Sequence, residues 1–199
     1  MTQEQTTAPI QLQPEVLKSP SGRATAASLY KRLLLDECLP FWFPRCLDRQ
    51  YGGYQHCVDR DGTVVDTDKS IWAQGRMAWM LLTLAGTNQL SDDPRRGEWV
   101  QWAESGLEFL RQHGFSAAES SPAGTSAGGQ MYFHVTREGR PVRLRRYVYS
   151  EAFASIAFAR HAAVTGNPRS AELSGELFES FVDVNFTPGR MAPKLIHAA

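Results

Sequence analysis

Asp66-Thr67-Asp68-Lys69-Ser70-Ile71-Trp72-Ala73-Gln74-Gly75-Arg76-Met77-Ala78-Trp79 carries two helical stripes at once. Ile71, Gly75, Ala78 and Leu82 recur at the helical period with small or apolar side chains and read as the buried stripe. A second stripe, Lys69, Trp72, Arg76 and Trp79, mixes two cations with two indoles. That mixture suits a wall against which a polar, hydroxyl-bearing ligand lies. It equally suits a ligand-free arrangement in which Lys and Arg stems pack over Trp rings, and residue types alone leave both readings open.

The motif helix is expected from about Lys69 to Leu90, and a second from near Pro94, its face marked by Trp99, Trp102, Gly106 and Leu110. Upstream, the pattern is helical from Arg23 to about Phe43, with Leu29, Leu33 and Leu34 apolar and Pro40 kinking or ending it. Tyr51-Gly52-Gly53-Tyr54 predicts a turn. Asp59-Arg60-Asp61-Gly62 predicts a hairpin between Gln55–Val58 and Thr63–Val65. Gly114–Gly129 is a long Ser/Ala/Gly-rich loop, of the kind that serves a site. A second hairpin follows, Gln130–Thr136 and Arg140–Tyr149 around the turn Arg137-Glu138-Gly139. Ser150 is expected to cap a helix Glu151–Thr165 that stops at Gly166-Asn167-Pro168, with a partner helix to about Val184 and the beginning of another in Met191–Ala199.

Residues 1–22 are polar and are expected to form a disordered tail, leaving 23–199 as the domain. Helices in successive pairs, with excursions at one end, predict an all-α, (α/α)6 toroid-type fold, about half of the barrel, with two small β-hairpins. An open ring of this kind exposes apolar helix faces that need covering.

The 199 residues suffice for one sizeable domain. Lys plus Arg and Asp plus Glu number 21 each, so no broad field draws the chain to nucleic acid or to an anionic membrane, and a neutral small molecule is the expected partner. No apolar run reaches membrane-span length and the N-terminus lacks a basic start and a hydrophobic region, so the cytoplasm is the expected location. Cys38, Cys46 and Cys57 are too widely spaced for a zinc site of close pairs and odd in number, and read as small buried residues. His56 beside Cys57 points to the opposite face of an extended strand. Asp59, Asp61, Gly62 and Asp68 fit four positions of a calcium loop, but Cys57 stands where its first ligand belongs, so a plain turn is the better reading. No metal and no cofactor is expected, and no glycine-rich phosphate loop is present.

Taken together, Trp42-Phe43, Asp48-Arg49-Gln50-Tyr51-Gly52-Gly53-Tyr54, Asp59-Arg60-Asp61-Gly62, Asp66 through Trp79, the second hairpin and Arg146-Tyr147-Val148-Tyr149-Ser150-Glu151-Ala152-Phe153 resemble, in this order, the N-acylglucosamine 2-epimerase family. The resemblance runs from about Ala27 to the end of the chain. It implies an (α/α)6 barrel longer than this chain and an isomerase acting on sugars, in which the proton beside an open-chain carbonyl is abstracted and one is returned to the other face. Such chemistry needs an acid, a base and a donor for the developing enediolate oxygen. The resemblance gives Arg76 that last role, puts Lys69, Trp72 and Gln74 at the substrate or in support of the motif helix, and sets Tyr132 to stack on the sugar ring. The family's catalytic histidines lie in its C-terminal half, one in a Gly-His-x-x-Glu type motif with no counterpart here, so no general base is assigned and this chain is expected to be truncated and inactive alone.

His113, His134, His161 and His197 each read as structural histidines. A glycoside hydrolase on a similar toroid would use Asp66, Asp68 or Glu151 as its carboxylate pair, although helix capping accounts for these more simply. A third reading is a non-catalytic half-barrel that pairs with another chain or forms a homodimer.

Overall fold

The computed structural model describes residues 14–116, 130–144 and 147–191. The chain divides into two units, Met1–Arg45 and Cys46–Ala199. In the first, a 3-10 turn over Pro14–Lys18 precedes helix α1, Pro20–Arg32. Residues 1–13 of the expected tail lie outside the described residues. The helix begins three residues before Arg23 because extended Ser19 accepts the Gly22 amide at 3.0 Å and Pro20 takes the first-turn position, where its missing N–H has no consequence. A π-helical stretch, Leu33–Cys38, carries the chain into a last turn α2, Leu39–Trp42. Pro40 therefore does not end the helix. The wide turns ahead of it, where the Leu39 amide reaches back to the Leu34 carbonyl, relax the register into which the proline ring fits.

The second unit holds α3, Ile71–Ala85; α4, Arg96–His113; α5, Tyr149–Thr165; and α6, Pro168–Phe186. Helix α3 packs on both α4 and α5, and α5 packs on α6, the successive stacking of an all-α toroid arc. The apolar stripe read from the sequence is the buried one, with Ile71, Ala78 and Leu82 fully covered. At Gly75 a side chain would stand 2.9 Å from the Phe153 carbonyl, so α3 and α5 cross backbone against backbone there. Gly166 ends α5 in the left-handed conformation (φ 74°), and the Asn167 side chain caps α6 by accepting the Ser170 amide.

Two features of α5 and of the hairpins depart from expectation. Helix α5 starts at Tyr149, so Ser150 is inside it and its hydroxyl serves another partner. The first hairpin is as expected, β1 Cys57–Val58 against β2 Val64–Asp66, turned by Gly62 at φ 88°. The second, β4 His134–Val135 and β5 Pro141–Arg143, gains a third strand, β3 Lys69–Ser70. Lys69 pairs with Val135 and Ser70 with His134, so these two residues precede α3 rather than opening it. Most of the expected 114–129 loop and the expected terminal helix fall outside the described residues.

Candidate functional site

Helices α3 and α5 begin on the same piece of chain. The Ile71 amide donates to the Phe133 carbonyl at 3.1 Å, the Ser150 hydroxyl donates to the Tyr132 carbonyl at 2.8 Å, and the Met131 amide donates to Glu151 Oε1 at 2.7 Å. The segment Met131–Phe133 thus fixes two helix N-termini side by side. Their first turns present Trp72, Tyr149 and Phe153, whose rings meet at centroid distances of 5.8, 5.8 and 5.1 Å. One turn further along α3, the Arg76 guanidinium stands 5.8 Å from the centre of the Phe153 ring. Arg76 is exposed, and it makes no hydrogen bond or ion pair with a described residue. Tyr149 is 49% exposed. The result is an unspent fork of N–H donors on an aromatic floor that opens to solvent, suited to an oxygen that gains negative charge while an apolar ring face rests beside it.

Lys69 and Gln74, expected at the substrate or in support of the motif helix, take the supporting place. Lys69 has no exposed surface, and its ammonium donates to Asp48 Oδ2 (3.0 Å), the Gly52 carbonyl (2.7 Å) and the Arg137 carbonyl (2.9 Å), above the Phe109 ring at 4.2 Å. All three donors are used, so none is left for a ligand. Gln74 is equally buried; it accepts the Tyr54 amide at 2.7 Å and donates to the Tyr54 carbonyl at 2.9 Å. Both side chains hold the Asp48–Tyr54 loop on the base of α3. Arg137 completes this lock with two bonds to Asp48, 2.8 and 3.1 Å, while the Gln50 and Tyr51 amides reach Asp48 Oδ1. Burial alone would raise the Asp48 carboxyl, but the bonds from Arg137, Lys69 and the Tyr51 amide, with the Lys69 charge, hold it well below the usual carboxylate range. Tyr54 threads the lock from inside, its hydroxyl donating to the Trp102 carbonyl at 2.7 Å, and only a glycine at 106 leaves room for its ring.

Trp72 lies half-buried in the aromatic group, and Trp79 is partly exposed farther along the helix. Tyr132 is half-buried, with its backbone held by Gly114 and Ser150. The carboxylates of the hydrolase reading do not share one environment: Asp66 is exposed and accepts the Asp68 amide, Asp68 is half-buried, and Glu151 is in the core. His134 bonds the Ser70 hydroxyl at 3.1 Å, His161 bonds Ser170 at 2.8 Å between α5 and α6, and the His113 ring lies 4.8 Å from that of Phe109. His197 is outside the described residues. Among the described residues, no three His, Cys, Asp or Glu side chains are grouped to hold a metal ion, and no helix is long and apolar enough to cross a membrane.

Residues 52–187 match the profile of the N-acylglucosamine 2-epimerase (GlcNAc 2-epimerase) family. Curated N-acylglucosamine 2-epimerases of Mus musculus and Homo sapiens are 33% and 32% identical over 148 residues, 74% of this chain. The chain spans about a third of the length of these relatives, 33% and 32% respectively. Among solved structures, the cellobiose 2-epimerase of Bacillus thermoamylovorans B4167 superposes with a TM-score of 0.64 at 25% identity, over 78% of this chain and 36% of its own. The cellobiose 2-epimerase of Spirochaeta thermophila shares the fold at a TM-score of 0.61 and 20% identity, over 88% of this chain and 38% of its own. The matched span takes in the hairpins, the Met131–Phe133 segment that joins two helix N-termini and the helix that carries Arg76, and on that continuity the chain belongs to the N-acylglucosamine 2-epimerase family.

Proposed function

We propose that this chain forms the sugar-facing arginine wall of a carbohydrate 2-epimerase or isomerase. The observation that carries the reading is Arg76, exposed and without a protein partner among the described residues, on the Trp72–Tyr149–Phe153 floor. A sugar ring lays its C–H face on the aromatic residues, and the guanidinium donates to the carbonyl oxygen of the open-chain form. As the C2 proton leaves, that oxygen becomes an enediolate, and a donor already in place stabilises it more than it stabilises the neutral carbonyl. Trp72 and Tyr132 serve the ring and its hydroxyls, while Lys69 and Gln74 serve by holding the loop. No acid or base is assigned; the described histidines at 113, 134 and 161 have neighbours of their own in the fold. The three free cysteines support the proposed cytoplasmic setting.

The test is a fluorescence titration of the protein with N-acetylglucosamine, N-acetylmannosamine and cellobiose. The reading expects saturable quenching that Trp72→Phe diminishes and that Arg76→Ala removes at unchanged melting temperature. Quenching that persists in both variants places any sugar elsewhere.

A second observation favours pairing. Phe178, Val182 and Phe186 recur every fourth residue on α6, with Phe178 59% and Phe186 75% exposed. We propose a homodimer that covers this stripe. Sizing should then show a dimer that Phe178→Asp converts to monomer, and a wild-type monomer at high concentration contradicts it.

A further inference from the structure

We propose that Glu151, acting with Ser150, is a positioning residue that sets where Tyr132 stands relative to the Arg76 floor. The proposal rests on the reading of Arg76 and Tyr132 as sugar-facing. Consecutive residues in the first turn of α5 take hold of consecutive residues of the Met131–Phe133 segment: Glu151 Oε1 accepts the Met131 amide at 2.7 Å, and Ser150 Oγ donates to the Tyr132 carbonyl at 2.8 Å. The segment is fixed independently by its backbone, the Tyr132 amide donating to the Gly114 carbonyl and the Phe133 carbonyl accepting the Ile71 amide. Tyr132 therefore lies between two helix N-termini, and Glu151 and Ser150 attach that stretch to the first turn of α5.

A carboxyl group is an expensive means to this end. Glu151 is 2% exposed, and its second oxygen, Oε2, has no hydrogen-bond partner among the described residues. A helix-capping or surface role would not require burying it, since the first turn of a helix accepts an acidic side chain in solvent. Burial pushes the carboxyl up to about 7, against the lowering effect of the Glu151 and Met131 amides, so in mildly acidic solution it keeps the proton on one oxygen while the other accepts from Met131. The aromatic floor gains from the same turn, because Tyr149 and Phe153 flank the gripping pair.

The experiment is hydrogen exchange and aromatic-ring NMR on the 199-residue protein, with and without N-acetylglucosamine, for wild type, Glu151→Gln and Glu151→Ala. Glutamine keeps an acceptor for Met131 and alanine does not. The proposal expects the Met131 amide to exchange at least about tenfold faster in Glu151→Ala than the global unfolding rate accounts for, the Tyr132 ring signals to move, and Glu151→Gln to restore both. If Glu151→Ala does not fold, Ser150→Ala releases the other half of the grip and should move the same Tyr132 signals. Wild-type exchange at Met131 and unmoved Tyr132 signals in the folded variants overturn the proposal. Loss of the grip with Tyr132 signals that ignore the sugar in wild type overturns the sugar-facing reading on which it rests, and the two failures are told apart by the Met131 amide.

Discussion

Glu151→Gln should make the protein more stable at neutral and alkaline pH, and the structure gives the size of the effect. The folded-state carboxyl lies at about 7 against an ordinary 4.5. Between those values the folded protein keeps a proton that the unfolded chain has released, so stability falls as pH rises through the window. At 1.36 kcal/mol for each pH unit of displacement, the loss sums to about 3 kcal/mol by pH 8. Glutamine has the shape of the protonated acid, retains an acceptor for Met131 and cannot ionise. Wild type and variant should therefore agree below pH 4.5 and diverge to about 3 kcal/mol above pH 7.5, with the variant more stable. The histidines add a pH dependence of their own to each curve: burial lowers His56, His113 and His161, which makes stability rise with pH below their ordinary range. They are common to both proteins and cancel in the difference. Urea unfolding at half-unit steps from pH 4 to 8 measures that difference, and parallel curves across the whole range would refute the buried, protonated carboxyl.

Asp48→Asn should cost about 3–5 kcal/mol at neutral pH, because it strips the counter-charge from fully buried Lys69 and from Arg137, and chemical denaturation checks it; a double variant with Lys69→Met should recover part of the loss. Gly106→Ala should cost at least about 2 kcal/mol, since its methyl group would overlap the Tyr54 ring; a melting temperature within a degree of wild type would mean that the helix and the loop can separate freely. Arg76→Ala should change stability by less than about 0.5 kcal/mol, as expected for an exposed side chain without a charged partner, and a larger loss by urea unfolding would point to a packing role over Phe153.

The stripe Ile71, Gly75, Ala78 and Leu82 was legible because it depends only on the period of one helix, and the helix stop at Gly166-Asn167-Pro168 because those residues carry their own geometry. Lys69 was not. Its place in a strand comes from pairing with Val135, 66 residues away, and no local pattern announces that β3 pairs ahead of the helix. Gln74 was placed at the substrate or in support of the motif helix, and only the run of the Tyr54 backbone against α3 decides for support. Asp48, Arg137, Tyr149 and Phe153 were all visible within motifs, but their roles depend on which loop lands on which helix, so the sequence offered residues without partners. Glu151 was read as a hydrolase carboxylate or a helix-capping acid, and its burial against the Met131 amide depends on a chain segment 20 residues upstream.

The most direct measurement is a single NMR sample of the folded 199-residue protein in heavy water with N-acetylglucosamine and N-acetylmannosamine, read for saturation transfer from protein aromatic protons to the sugar and for deuterium replacement at C2. Transfer that Arg76→Ala abolishes is expected, with the C2 proton retained. A folded protein without transfer would contradict the sugar-facing arginine. Deuterium at C2 that disappears in Arg76→Ala would show that this chain already supplies the base the account leaves unassigned.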